Sequence, residues 1–176
     1  MIKNILVAGI SAGILILIVS FFRKTDKSRI NNLEKKKSLG ELNNDQLLDL
    51  ATLYQKSNRI EDSVNVLKKV NYQDNSETTI SCLFFIIMNL RYLNQISEIL
   101  EYIDILDTKY TTNKNKVLSS LKNFVDKESV PYTFSLVPAY YYRINNESKF
   151  NYYKSELIKL DKKSIDIDYD TYWEEQ

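Results

Sequence analysis

The stretch LLDLATLYQKSNRIEDSVNVLKKV, Leu47 to Val70, decides the fold. Leu47, Leu50, Ala51 and Tyr54 recur at the three- and four-residue spacing of one helix face. The run stops at Ser57, and Ile60, Val64, Leu67 and Val70 resume the same spacing beyond it. Upstream, Asn43 with Gln46 makes a capping box, and Leu42 and Leu47 stand at the two ends of a hydrophobic staple. Asn58 with Glu61 gives a second capping-box pattern. The stretch therefore predicts two helices joined by a short connection, a helical hairpin.

The pattern recurs along the chain. Leu47, Leu50, Ala51, Tyr54, Ser63, Leu67 and Val70 shift by 33 residues onto Ile80, Leu83, Phe84, Ile87, Ile96, Leu100 and Ile103. A further shift of 34 gives Lys114, Val117, Leu118, Leu121, Val130, Phe134 and Val137. A helix-turn-helix period of about 34 residues is that of tetratricopeptide repeats, in which each pair hides its apolar stripe by stacking on its neighbours. The first unit, with Leu50 and Ala51 before Tyr54 and then Ser63 and Leu67, resembles a tetratricopeptide (TPR) motif. The later units depart from it, with Phe84, Ile96, Leu118 and Val130 where that family carries small residues. The expectation is an all-α, TPR-like stack of antiparallel helix pairs, with a non-repeat helical bundle as the alternative. Phe150, Tyr153, Leu157 and Leu160 mark a final capping helix, and Pro138 is expected to bend or end the helix before it.

Composition supports helices and removes much chemistry. Of three glycines only Gly40 lies outside the N-terminal apolar run, too few for the turns of an all-β domain or for a phosphate-binding loop. Histidine is absent, which excludes His-based nucleophilic triads and His zinc sites. The single cysteine, Cys82, excludes internal disulfides and sits in ISCLFFIIMNL, an apolar setting for a core residue. No catalytic, cofactor-binding or metal set is expected; Asp166, Asp168 and Asp170 have Thr171 where a calcium loop needs its turn glycine. Residues 1–37 carry eight basic and two acidic side chains, and residues 38–176 carry sixteen and twenty-one. The mildly acidic domain argues against nucleic acid as a partner.

Nineteen residues, 4–22, carry no charge and would span about 28 Å as a helix, close to the thickness of a bilayer core. A retained single-pass anchor is expected there, followed by a basic linker over 23–42, a TPR-like domain over 43–161 and an acidic tail over 162–176. The basic flank predicts a cytosolic domain, in a mitochondrial or bacterial inner membrane. Gly9 and Gly13, with Ala8 and Ala12, form small-x-x-x-small pairs suited to a helix–helix contact.

The layout resembles that of the small mitochondrial import receptor and of bacterial membrane-anchored TPR proteins. That resemblance implies a non-enzymatic adaptor or receptor that binds a partner protein or peptide. The groove of such a stack would show Leu48, Thr52, Phe85, Met88, Asn89, Asn115, Ser119 and Lys122, an apolar centre with a polar rim fit for an amphipathic segment. The alternative is a structural accessory subunit of a larger membrane complex, a role that thirteen tyrosines would suit. Tyr172 and Trp173 mark the tail as either solvated or a short docking segment.

Overall fold

The computed structural model describes residues 25–125, 129–170 and 172. Among them lie seven α-helices, one 3-10 helix and no strand. Helix α1 covers 25–38. It is followed by α2 (Asn44–Lys56), α3 (Ile60–Leu67), α4 (Glu77–Tyr92), α5 (Ile96–Phe124), α6 (Ser129–Arg143), α7 (Glu147–Leu160) and the 3-10 turn η1 (Lys162–Asp166).

The hairpins are made by one turn used three times. Asn58, Asn94 and Asn145 have φ of 58°, 56° and 55°, the left-handed region that asparagine tolerates better than other side chains. At each, two backbone bonds close the preceding helix. Asn58 N–H reaches Gln55 O at 2.9 Å and Arg59 N–H reaches Tyr54 O at 2.8 Å. Asn94 and Gln95 repeat this onto Arg91 and Leu90, and Asn145 and Asn146 onto Tyr142 and Tyr141. This is the Schellman closure, and the next helix begins at once. It pairs α2 with α3, α4 with α5, and α6 with α7, which are also the most extensively packed pairs. Gly40, at φ 72°, closes α1 in the same way, through Lys37 and Lys36.

Helix α4 is the centre. Every residue from Thr79 to Ile87 is buried, as are Asn89 and Leu90, so the helix is covered on all sides. It packs on α2, α3 and α5. At its start, Asn44 Nδ2 donates to Thr79 Oγ1 at 3.0 Å and Thr78 donates to Asp45 at 2.5 Å. The buried Lys109 Nζ on α5 holds the preceding loop through Asp74 O at 2.9 Å and Asn75 Oδ1 at 2.7 Å.

Several expectations are corrected. Among the described residues no helix is long and apolar enough to cross a membrane. The single-pass, signal-anchored and cytosol-facing description is therefore not supported, and the span expected at 4–22, with Gly9 and Gly13, lies outside the described residues. The expected linker contains α1, which buries Ile30 and Leu33 on the domain. Arg29 there bonds both Asp49 oxygens at 2.8 Å, and Glu34 accepts from Tyr54 at 2.6 Å. Of its basic residues Lys27 and Lys35 are exposed, whereas Lys37 is half-buried and stands 5.9 Å over the Tyr54 ring.

The Asn43–Gln46 capping box is present, with both reciprocal bonds. Asn58 is no cap for α3. It is the left-handed residue of the turn, and Arg59 at the cap makes no side-chain capping bond, its guanidinium bonding Asp62 and Glu34 instead. The third expected pair is displaced. Residues 114–124 continue α5 beyond a kink at Asn113, whose φ of −152° and ψ of 74° are non-helical. This segment ends beside the start of α4, with Asn123 Nδ2 3.4 Å from Glu77 Oε2, and so does not lie alongside α4 in parallel register. The third hairpin is α6–α7, and the expected cap α7 is its second arm. Pro138 lies inside α6, which runs on to Arg143. Its flanks Val137 and Ala139 are buried, and their burial offsets the lost backbone bond.

Two substitutions probe this architecture. Asn94→Gly should leave stability within about 0.5 kcal/mol, whereas Asn94→Val should cost about 1–2 kcal/mol because a β-branched residue resists positive φ. Equal denaturation midpoints for the two would refute the role given to the turn. Tyr54, 2 % exposed, should cost about 3 kcal/mol on replacement by Ala, and Tyr54→Phe about 1 kcal/mol for the lost bond to Glu34.

Candidate partner-binding face

The expected groove is only partly built. On α2, Leu48 and Thr52 are half-buried, and Thr52 Oγ1 donates to Leu48 O at 2.8 Å. On α4, Met88 is half-buried and packs against the core, while Phe85 is a core residue. Asn89 is 1 % exposed and is a structural tie: its Nδ2 donates to Ser63 Oγ at 2.9 Å, and its Oδ1 accepts from Gln55 at 3.4 Å. Asn115, Ser119 and Lys122 are exposed on the second segment of α5. Among the described residues they share no hydrogen bond with the α2–α4 set. The kink at Asn113 is the reason, since it turns these three out of the register in which one groove would contain them all. Cys82 is fully buried, and burial pushes its thiol up to about 12, so it is core.

Another face holds a peptide segment. After η1 the chain turns at residues 169–170 and seats Tyr169 and Tyr172, both buried, against α4, α6 and α7. The Arg91 guanidinium, at the last turn of α4, stacks 4.3 Å from the Tyr172 ring centre. Its Nη1 donates to Tyr172 Oη at 3.0 Å and its Nη2 to Tyr172 O at 3.1 Å. Ser135 Oγ, buried on α6, shares a hydrogen bond with the same hydroxyl at 2.6 Å, in which either oxygen can donate. Tyr169 meets Phe150 edge-on at 5.1 Å, and Lys154 Nζ stands 5.5 Å over its ring. Tyr142 donates to Asp170, which raises the Tyr142 pKa. Trp173 lies outside the described residues.

Beside the seated segment an open cleft of about 610 Å³ runs between the α6–α7 turn and the tail, lined by Tyr142, Arg143, Asn145, Phe150, Asn151 and Asp170. That volume is in the range of pockets that take side chains or small ligands. Its walls mix aromatic rings with amides, the surface that adapts to polypeptide.

The other polar clusters pin helices to one another. Glu156 on α7 is 5 % exposed and accepts from Tyr110 Oη at 2.8 Å, from Lys159 at 2.7 Å and from Lys114. Burial opposes its ionisation, but these donors outweigh burial and hold the carboxyl at about 2. Asp107 on α5 accepts from Tyr153 and, at 2.6 Å, from Lys149. Both carboxylates face partners that already use them. Among the described residues no His, Cys, Asp and Glu are grouped to hold a metal ion.

Arg91, Ser135 and the seat they form escaped the sequence reading. Arg91 is the one basic residue in an otherwise uncharged run from Thr78 to Leu93, and that isolation was the available signal. Comparison of the chain with protein-family models, with curated proteins and with solved structures gives no match.

Glu156 makes acid stability testable. Its folded pKa lies below its ordinary value of 4.5, so its contribution is complete above that value and is lost as pH falls through about 2. Glu156→Gln should lower stability at neutral pH by on the order of 2 kcal/mol and flatten the loss of thermal midpoint between pH 4.5 and 2. Parallel pH profiles for the two proteins would contradict the assignment.

Proposed function

We propose that the chain is a protein-interaction adaptor, a TPR-like array of helical hairpins that holds a segment of a partner protein. The observation that carries this is the seated tail, a short turning segment gripped through two aromatic side chains and one backbone carbonyl. A surface that holds its own chain in this way has the chemistry of peptide recognition: ring pockets for anchoring, a guanidinium for register, and an open cleft alongside for further residues. The repeated hairpin adds support, because stacked hairpins present broad faces without needing a catalytic centre. The internal saturation of Asp107 and Glu156 fits the same role.

A photo-cross-linking residue at exposed Asn151, which lines the cleft, tests the proposal in the native cell. One discrete polypeptide adduct is expected from Asn151, competed by excess unlabelled protein, and none from the same residue at exposed Lys56. Absence of an adduct, or identical adducts from both sites, would defeat it.

A further inference from the structure

We infer that the seat formed by Arg91 and Ser135 is a recognition site for acidic partner segments with two aromatic residues three apart, and that the chain's own tail is its resting occupant. The inference rests on the adaptor reading and names the partner chemistry. Three observations carry it.

The first is the fit of the occupant. Tyr172 is held at its ring, its hydroxyl and its carbonyl, so the seat reads an aromatic side chain and an adjoining backbone group together. The second is charge. The cations over the two seated rings are Arg91 and Lys154, and the seated segment carries Asp168 and Asp170 between and before its tyrosines. Opposite signs on seat and segment favour an acidic ligand.

The third is an imperfection. The Tyr169 hydroxyl is buried and has no hydrogen-bond partner among the described residues. A buried hydroxyl without a partner is penalised relative to an apolar group of the same shape. The tail is thus a weaker occupant than a segment with phenylalanine at that position. Such a segment satisfies every contact and omits the penalty, and so displaces the tail. A covalently attached segment holds the seat by effective concentration, not by optimal contacts, and a better free segment competes with it.

The test uses the full chain and two fluorescent peptides, DIDYDTY (the sequence of residues 166–172) and DIDFDTY. The double variant Tyr169→Ser/Tyr172→Ser vacates the seat and should bind DIDYDTY at least tenfold tighter than the unaltered chain. DIDFDTY should bind the double variant several-fold tighter than DIDYDTY, and adding Arg91→Gln should weaken both peptides at least tenfold. Equal binding by the unaltered chain and the double variant overturns the inference, as does a preference for the tyrosine peptide. Far-UV circular dichroism verifies the helices. Should the double variant unfold, Tyr169→Phe in the full chain decides instead: it tightens the tail and should weaken DIDFDTY binding at least threefold, and unchanged binding overturns the inference. A dimer with exchanged tails would assign the seat to a second copy and overturn it too. Persistence of the Asn151 adduct while both peptides fail would sink this inference and leave the adaptor reading standing.

Discussion

A helical hairpin with a three-residue connection demands one residue at positive φ, and this architecture rests on that demand. Reversing the chain within three residues while closing the last carbonyls of the first helix requires the left-handed conformation at a single position. Glycine meets the demand at least cost, but Gly40 is the only glycine beyond residue 13, and it is used to end α1. Asparagine, with a short polar side chain, is the next best residue there, and it fills all three hairpin turns. Because the turn geometry is the same each time, each pair of helices leaves its turn in the same relation. The first two pairs meet along α4, whose all-round apolar surface needs covering from both, and the third pair joins where α6 packs on α5.

Packing alone would leave the third hairpin poorly specified, since aromatic side chains of similar size fill its interface. Tyr110, Phe134, Tyr141 and Tyr153 lie with ring centres 5.3 to 6.1 Å apart in their closest pairs. Rings of that kind can slide with small loss of contact. The Glu156 and Asp107 clusters remove that freedom, because the buried Glu156 and half-buried Asp107 carboxylates are each satisfied in one register only. A shifted α7 would leave a desolvated charge without donors, a cost of several kcal/mol. The hydroxyls of Tyr110 and Tyr153 thus turn an adaptable aromatic interface into a specific one.

The sequence was legible where the physics is local. Spacing of Leu47, Leu50, Ala51 and Tyr54, and the Asn43–Gln46 box, located α2 because both depend on residues within one or two turns. The interruption at Ser57 was legible for the same reason. Asn58 was misread because asparagine serves both as a helix cap and as a left-handed turn residue, and only the backbone distinguishes the two. The third pair was misassigned because a 34-residue period is blind to direction. Residues 114–124 have the right apolar spacing but follow a kink set by the φ of Asn113. The seat of Tyr172 joins residues 37 to 81 positions apart, and no window of sequence contains them.

The seated tail also explains why Arg91 is tolerated at the end of the most apolar helix. A guanidinium against a buried core would lose hydration with nothing in exchange. Here its face lies on the Tyr172 ring and its edge donates to a hydroxyl and a carbonyl, so stacking and hydrogen bonding replace water together. Lysine could supply the charge but neither the planar stack nor the two-point edge. The end of α4 therefore depends on an aromatic residue arriving from elsewhere. That dependence concerns the chemistry of the occupant, not the chain to which it belongs, and this is the physical ground for proposing that a seat which completes the fold also takes a partner segment.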